Sequence, residues 1–199
     1  MKRLILFLNL LFAGYFVTAQ GYKVGDAAAH FNLKNVDGKM VSSESFKNAK
    51  GFIVIFTCNE CPYAKAYVDR INEMDKKYKS KGFPVIAINP NDPAVQPADS
   101  YDNMVKTAKE KNFSFPYLFD PDRKISALYG ATNTPHVYLL SLSNNKLTVE
   151  YIGAIDDNSS DASKVTKPYL ANAIDALLSG QKPSVSYTKA IGCGVKKRA

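Results

Sequence analysis

The chain has 199 residues, 46% of them hydrophobic, which is enough for one domain with a substantial core. Its formal net charge is +8, but the basic residues are scattered apart from the run Lys196-Lys197-Arg198. No basic stripe alternates with aromatic side chains, so we expect no nucleic-acid partner. Three cysteines are too few for a scaffold built on disulfides.

The first 19 residues have the features of a secretory signal peptide. Lys2 and Arg3 precede an almost wholly apolar run, 4–17, and small or branched residues lead to Ala19, where we expect cleavage. The run is shorter than the roughly 20 residues that a membrane-spanning helix needs, although an uncleaved anchor is the alternative. Cleavage removes two basic and no acidic residues, so the net charge falls from +8 to +6. We predict export to the bacterial periplasm, without stable membrane insertion after cleavage.

Hydrophobic periodicity then predicts a hairpin around Asp37-Gly38, three strand–helix pairs, a second hairpin around Asn144-Asn145 and a last helix. The predicted strands are 52–56, 83–88, 115–119, 135–141 and 146–153, and the predicted helices are 61–81, 100–111, 120–129 and 165–178. Helical crossovers imply parallel strands, and the late hairpin adds antiparallel ones. The predicted fold class is therefore α/β, with a central mixed sheet flanked by helices.

A C-x-x-C pair, Cys58 and Cys61, lies between the first central strand and the helix that follows it. A helix N-terminus stabilises a thiolate, and this spacing lets the second sulfur reach the first. So short a loop constrains little chain, which disfavours a purely structural disulfide. We predict a redox-active Cys58–Cys61 disulfide that needs no other cofactor, with Cys58 as the attacking thiol and Cys61 as the resolving thiol.

The domain is predicted over residues 20–180, and residues 181–199 form a C-terminal tail that carries Cys193. A disordered tail seldom combines Ile191, Val195 and a cysteine, so we expect the tail to dock on the domain. The role of Cys193 stays open: it can meet Cys58 or Cys61, pair between chains, or be buried and inert.

Three segments carry a family resemblance: FIVIFTCNECPYAKAY, FPYLFDPDRKISALYGATNTPHVYLL and the hairpin ending at Tyr151-Ile152-Gly153. Over about residues 22–180 the chain resembles the thioredoxin superfamily, in its redoxin (alkyl hydroperoxide reductase/thiol-specific antioxidant-like) branch. The resemblance implies a thioredoxin-like fold and a cis Pro135 that faces the cysteine pair, with Thr134 pairing with an extended peptide substrate. It also implies a thiol–disulfide oxidoreductase in cell redox homeostasis, with protein disulfide or dithiol substrates and a redox partner protein.

Several residues depart from the thioredoxin pattern or modify the cysteine pair. The chain has no Trp, and Phe52 stands where thioredoxin carries a buried acid. The carboxylate of Glu60 is expected to raise the pKa of Cys58, whereas Lys65, one helical turn after Cys61, is a candidate for lowering it. The P-x-x-x-T-x-x-C pattern of peroxiredoxins is absent, which weakens the alternative of a thiol peroxidase.

A copper-binding module is the second alternative. Cys58, Cys61 and His136 would be its ligands, because soft thiolates together with an imidazole suit Cu(I). The related copper chaperones use a longer C-x-x-x-C spacing than this chain has, so the cysteine spacing favours disulfide exchange.

Overall fold

The computed structural model describes residues 21–198, and the predicted signal peptide lies outside these residues. The strands are β1 Ala27–Ala28, β2 Asn32–Asn35, β3 Met40–Ser42, β4 Gly51–Phe56, β5 Val85–Asn89, β6 Tyr117–Phe119, β7 Asn133–Thr134, β8 His136–Ser143, β9 Lys146–Gly153 and β10 Cys193–Gly194. The helices are α1 Pro62–Tyr78, α2 Tyr101–Glu110, α3 Lys124–Tyr129 and α4 Tyr169–Leu178. Among the described residues, no helix is long and apolar enough to cross a bilayer.

Strand β4 lies at the centre of an eight-stranded sheet with the order β1-β9-β8-β4-β5-β6-β2-β3. It pairs in parallel with β5 and antiparallel with β8. All its side chains are buried: Ile53 and Ile55 face the apolar cluster under α1 and α4, and its other apolar side chains face the cluster that contains α3. The predicted mixed sheet flanked by helices is thus confirmed, and β4 ends where the cysteine pair begins.

Proline decides where two helices begin. Helix α1 begins at Pro62 with Cys61 as its N-cap, because proline is favoured at the first helical position. Helix α4 begins at Tyr169 rather than at 165 as predicted, because Pro168 disfavours helical backbone in the residue before it. Strands β1 and β7 were not predicted; each has only two residues, too few to show a periodic pattern.

The C-terminal tail lies against the end of the sheet. Ile152 of β9 receives a hydrogen bond from Thr188 N (2.9 Å) and donates one to Ser186 O (3.0 Å). Gly153 allows this crossing: its φ is +147°, and a Cβ there would overlap Thr188. Further along, β10 pairs antiparallel with β7, which brings the end of the tail beside the cysteine pair.

Candidate active site

The end of β4 and the start of α1 position the C-x-x-C pair. Cys58 follows the end of β4 by two residues, and Cys61 is the N-cap of α1. Both are buried, with 9% and 4% of their surface exposed. Cys61, rather than Cys58, therefore lies at the helix N-terminus.

Thr134 joins the two cysteines. Its hydroxyl shares a hydrogen bond with Cys58 Sγ (3.1 Å), and its carbonyl oxygen lies 3.1 Å from Cys61 Sγ. The Thr134–Pro135 peptide bond is cis, as the family resemblance implied. The structure thus brings together four of the predicted site residues, from segments more than 70 positions apart.

The tail supplies a third sulfur. Cys193 is bonded to Cys61 as a disulfide, with 5.9 Å between the two Cα atoms, and its N–H donates to Cys61 Sγ (3.4 Å). Cys58 is the free thiol of the three cysteines. The predicted Cys58–Cys61 disulfide is therefore not the one present in this structure. The register of β10 against β7 sets Cys193 opposite Thr134, and this places it at the sulfur of Cys61.

Burial raises the pKa of the Cys58 thiol, the negative charge of Asp99 raises it further, and the hydrogen bond with Thr134 acts in the opposite direction. The prediction named the wrong carboxylate. The Glu60 side chain is half exposed and forms a salt bridge with Lys65 at 3.0 Å. The two predicted modulators thus engage each other at the surface, and the acid that acts on Cys58 lies inside the domain.

Asp99 is fully buried and accepts three hydrogen bonds: from the backbone N–H of Asn59 (2.7 Å) and from the side-chain amides of Asn89 (3.1 Å) and Asn91 (2.7 Å). Asn59 also bonds through its side chain, donating to Ala98 O (2.8 Å) and accepting from a buried tyrosine hydroxyl (3.0 Å). These hydrogen bonds hold the C-x-x-C loop against the loop that carries Ala98 and Asp99. The only local signal for these bonds was a loop rich in Asn, Asp and Pro, which predicts a loop but not its burial.

Two cavities border Cys58. One, of about 140 Å³, is lined by the three cysteines, Asp99, Thr134 and residues of the tail. The other, of about 320 Å³, is lined by Cys58, by apolar side chains of α1 and of residues 113–117, and by polar side chains that include Glu60, Lys65 and Lys111. The free thiol thus has space beside it for a reacting group.

His136 lies on β8, opposite Phe56 of β4. Burial lowers its pKa to about 4. Its ring lies 4.9 Å from that of Tyr138, and its Nδ1 accepts a hydrogen bond from Thr132 N (3.4 Å). Within residues 21–198, no three or more His, Cys, Asp or Glu side chains are grouped so as to hold a metal ion. The ligand set predicted for copper is therefore not assembled here.

A sheet of this topology, with a cysteine pair between β4 and α1 and a cis-proline beside it, defines a thioredoxin-like redox protein. Residues 24–158 match the AhpC/TSA family, and the chain belongs to that family. The predicted relationship to the redoxin branch of the thioredoxin superfamily is confirmed, as is the prediction of an oxidoreductase.

The chain is also similar to individual proteins of known sequence or structure. The chain is 29% identical over 131 residues, 65% of its own length and 70% of the relative's, to the thiol-disulfide oxidoreductase ResA of Bacillus thuringiensis subsp. konkukian. An uncharacterized conserved protein from Geobacillus kaustophilus superposes with a TM-score of 0.82 at 33% identity, covering 90% of this chain and 94% of that one. A putative thiol:disulfide interchange protein DsbE from Chlorobium tepidum gives a TM-score of 0.53 at 25% identity, with 64% and 82% covered.

Proposed function

We propose that the chain exchanges thiols and disulfides with exported proteins, with Cys58 as the attacking thiol and Cys61 as the resolving thiol. The observation that carries the proposal is the meeting of a free thiol and a disulfide at Thr134, beside the cis-proline. The AhpC/TSA family and the relatives named thiol-disulfide oxidoreductases support it.

The reducing direction begins with both Cys58 and Cys61 as thiols. The Cys58 thiolate attacks one sulfur of a substrate disulfide, and the other substrate sulfur leaves with the electron pair and takes up a proton. The Cys61 thiolate then attacks the Cys58 sulfur and releases the second substrate thiol. Two electrons pass to the substrate, and the chain is left with a Cys58–Cys61 disulfide, which a redox partner protein reduces.

The surroundings of Cys58 set its reactivity. Burial and the charge of Asp99 raise the pKa of its thiol, so most of it is protonated at neutral pH. A strongly oxidising pair needs a stabilised thiolate in its reduced form, and these surroundings disfavour the thiolate. We therefore propose that the pair is not a strong oxidant, and that its exchange rate rises with pH.

The proposed place of action follows from the leader sequence. The signal peptide directs the chain to the periplasm, and cleavage after Ala19 releases the domain there. Its substrates are the disulfides or dithiols of other exported proteins. A comparison of total cell protein with periplasmic extract, with mass analysis of the mature N-terminus, tests this part separately.

Insulin reduction by residues 20–199, with dithiothreitol as the reductant, tests the catalytic assignment. Cys58→Ser is expected to abolish the activity, whereas Cys61→Ser is expected to accumulate mixed disulfides through Cys58, visible as dithiothreitol-sensitive adducts. Full activity of Cys58→Ser would refute the assignment of Cys58 as the attacking thiol. Consumption of hydroperoxide by the wild type, without insulin reduction, would favour a thiol peroxidase instead.

A further inference from the structure

The C-terminal tail occupies the edge of β7. Cys193 lies opposite Thr134 and Gly194 opposite Asn133 in an antiparallel pairing. The Asn133 side chain donates to Gly192 O (3.0 Å), and Val195 N donates to Thr132 O (3.0 Å). An extended peptide that adds to a sheet edge makes main-chain hydrogen bonds of the kind that Val195 makes, and the Asn133 side chain adds one more here.

The fit of the tail depends on a particular glycine. A Cβ on Gly192 would lie 2.6 Å from the carbonyl carbon of Thr134 and 2.9 Å from Pro135 N, closer than real contacts. A Cβ on Gly194 would meet nothing within 4 Å. Backbone therefore lies directly on the cis-proline loop at one of these glycines and leaves open space at the other.

Beyond the cysteine, the tail is held by the loop that carries the buried Asp99. Lys196 N donates to Asn91 Oδ1 (2.8 Å), and Asp92 N donates to Lys196 O (3.0 Å). The Arg198 guanidinium forms a salt bridge with Asp92. The tail therefore lines one side of the cavity that contains the cysteines, from β7 to this loop.

We propose that residues 192–198 are a tethered substrate analogue that occupies the peptide-docking edge of β7, and that exchange of the Cys61–Cys193 disulfide for Cys58–Cys61 releases it. This inference rests on the proposed function, because only a chain that acts on protein disulfides or dithiols would bind a substrate peptide along β7. A substrate peptide and the tail need the same main-chain groups of Thr134, so only one of them binds at a time.

The releasing step is an exchange within the chain. Cys58 loses its proton to solvent in the adjoining cavity, and its sulfur bonds to that of Cys61. The Cys61–Cys193 bond breaks, and its electron pair leaves on the sulfur of Cys193, which takes up a proton. One disulfide and one free thiol are present before and after, so no external oxidant or reductant is consumed.

Docking of the tail lowers the apparent affinity for substrate. A tethered competitor acts at a high effective concentration, and the fraction of molecules with an open edge scales the observed binding. The closed form persists because the free thiol that opens it is buried, and burial disfavours the thiolate that attacks.

Gly192→Ala and its matched control Gly194→Ala test the proposal with all three cysteines in place. Each protein, residues 20–199, is oxidised with glutathione disulfide to one disulfide per chain, quenched in acid, alkylated and mapped by peptide mass. We expect Cys61–Cys193 to predominate in the wild type and in Gly194→Ala. In Gly192→Ala we expect Cys58–Cys61 to predominate, with Cys193 alkylated. If Gly192→Ala shows the same distribution of disulfides as the wild type, the proposal is overturned.

A kinetic measurement separates this inference from the proposed function. Dithiothreitol supplies the electrons in this assay, and the substrate is a synthetic peptide carrying glutathione as a mixed disulfide. Under these conditions the reduced tail competes through its non-covalent contacts alone. Gly192→Ala is expected to lower KM several-fold with little change in kcat, and Gly194→Ala to leave both unchanged. Equal KM values in an active wild type and Gly192→Ala overturn the tail's role alone. If no protein reduces the peptide but the disulfide map still shifts, the proposed function fails while the docked tail is supported.

A second variant keeps the proposal testable if Gly192→Ala does not fold. Arg198→Ala removes the salt bridge with Asp92 from a largely exposed side chain, so it loosens the tail without touching the fold. We expect Arg198→Ala to shift the disulfide map towards Cys58–Cys61, but by less than Gly192→Ala does. If the map of Arg198→Ala equals that of the wild type, this result counts against the proposal.

Discussion

Asn59, between the two cysteines of the C-x-x-C pair, is expected to contribute far more to stability than its neighbour Glu60. Its side chain is buried, donates to Ala98 O (2.8 Å) and accepts from the Tyr117 hydroxyl (3.0 Å). Asn59→Ala leaves both partners without these bonds, and a buried polar group left unpaired costs about 1–3 kcal/mol. Tyr117 keeps its bond from Asn89 (3.1 Å), so the total is expected to be about 3 kcal/mol.

Glu60→Ala is the matched control one residue away. Its salt bridge with Lys65 joins two half-exposed side chains, and such pairs contribute about 0–1 kcal/mol. Urea unfolding of the three proteins, each with the Cys61–Cys193 disulfide verified by peptide mapping, measures the difference. A domain of this size loses about 2–4 °C of Tm per kcal/mol, so Asn59→Ala should melt about 6–12 °C lower. Equal losses for the two variants would refute the anchoring of the loop by Asn59.

Two further predictions concern titration. Asp99→Asn removes the negative charge that raises the pKa of Cys58, so the pKa should fall and alkylation of the thiol at fixed pH should accelerate; an unchanged or slower reaction contradicts this. Burial lowers the pKa of His136 from 6.5 to about 4, so between these values the unfolded chain binds a proton that the folded chain does not. Stability should therefore fall by roughly 3 kcal/mol as the pH falls through this window. His136→Gln should flatten the slope in urea unfolding, and a slope equal to that of the wild type would be evidence against it.

Much of the fold was predictable because its signals are local. The apolar run of β4 and the helical spacing along α1 each depend on residues near one another in the chain. Strand β4 appears within one residue of its predicted bounds, and α1 within three. The hairpin of β8 and β9 also forms around Asn144-Asn145, both with positive φ, as this turn pair indicates.

The site was only partly predictable, because its decisive contacts join distant segments. The disulfide partner of Cys61 lies 132 residues away, and the pairing of β10 with β7 involves two residues on each side. The effect of Asp99 depends on its burial by the fold, whereas Glu60 was chosen for its closeness in sequence. Nearness along the chain was a poor guide to which carboxylate acts on the thiol.

The separation of Cys61 and Cys193 also determines the order in which the thiols become available. During synthesis Cys58 and Cys61 emerge 132 residues or more before Cys193, an interval on the order of 10 s at usual rates of elongation. Throughout that interval the two early thiols have only each other as partners within the chain. An oxidant that meets the nascent chain would therefore form the Cys58–Cys61 disulfide first, and the arrangement in the finished molecule would be reached by a later rearrangement, once the tail has been made.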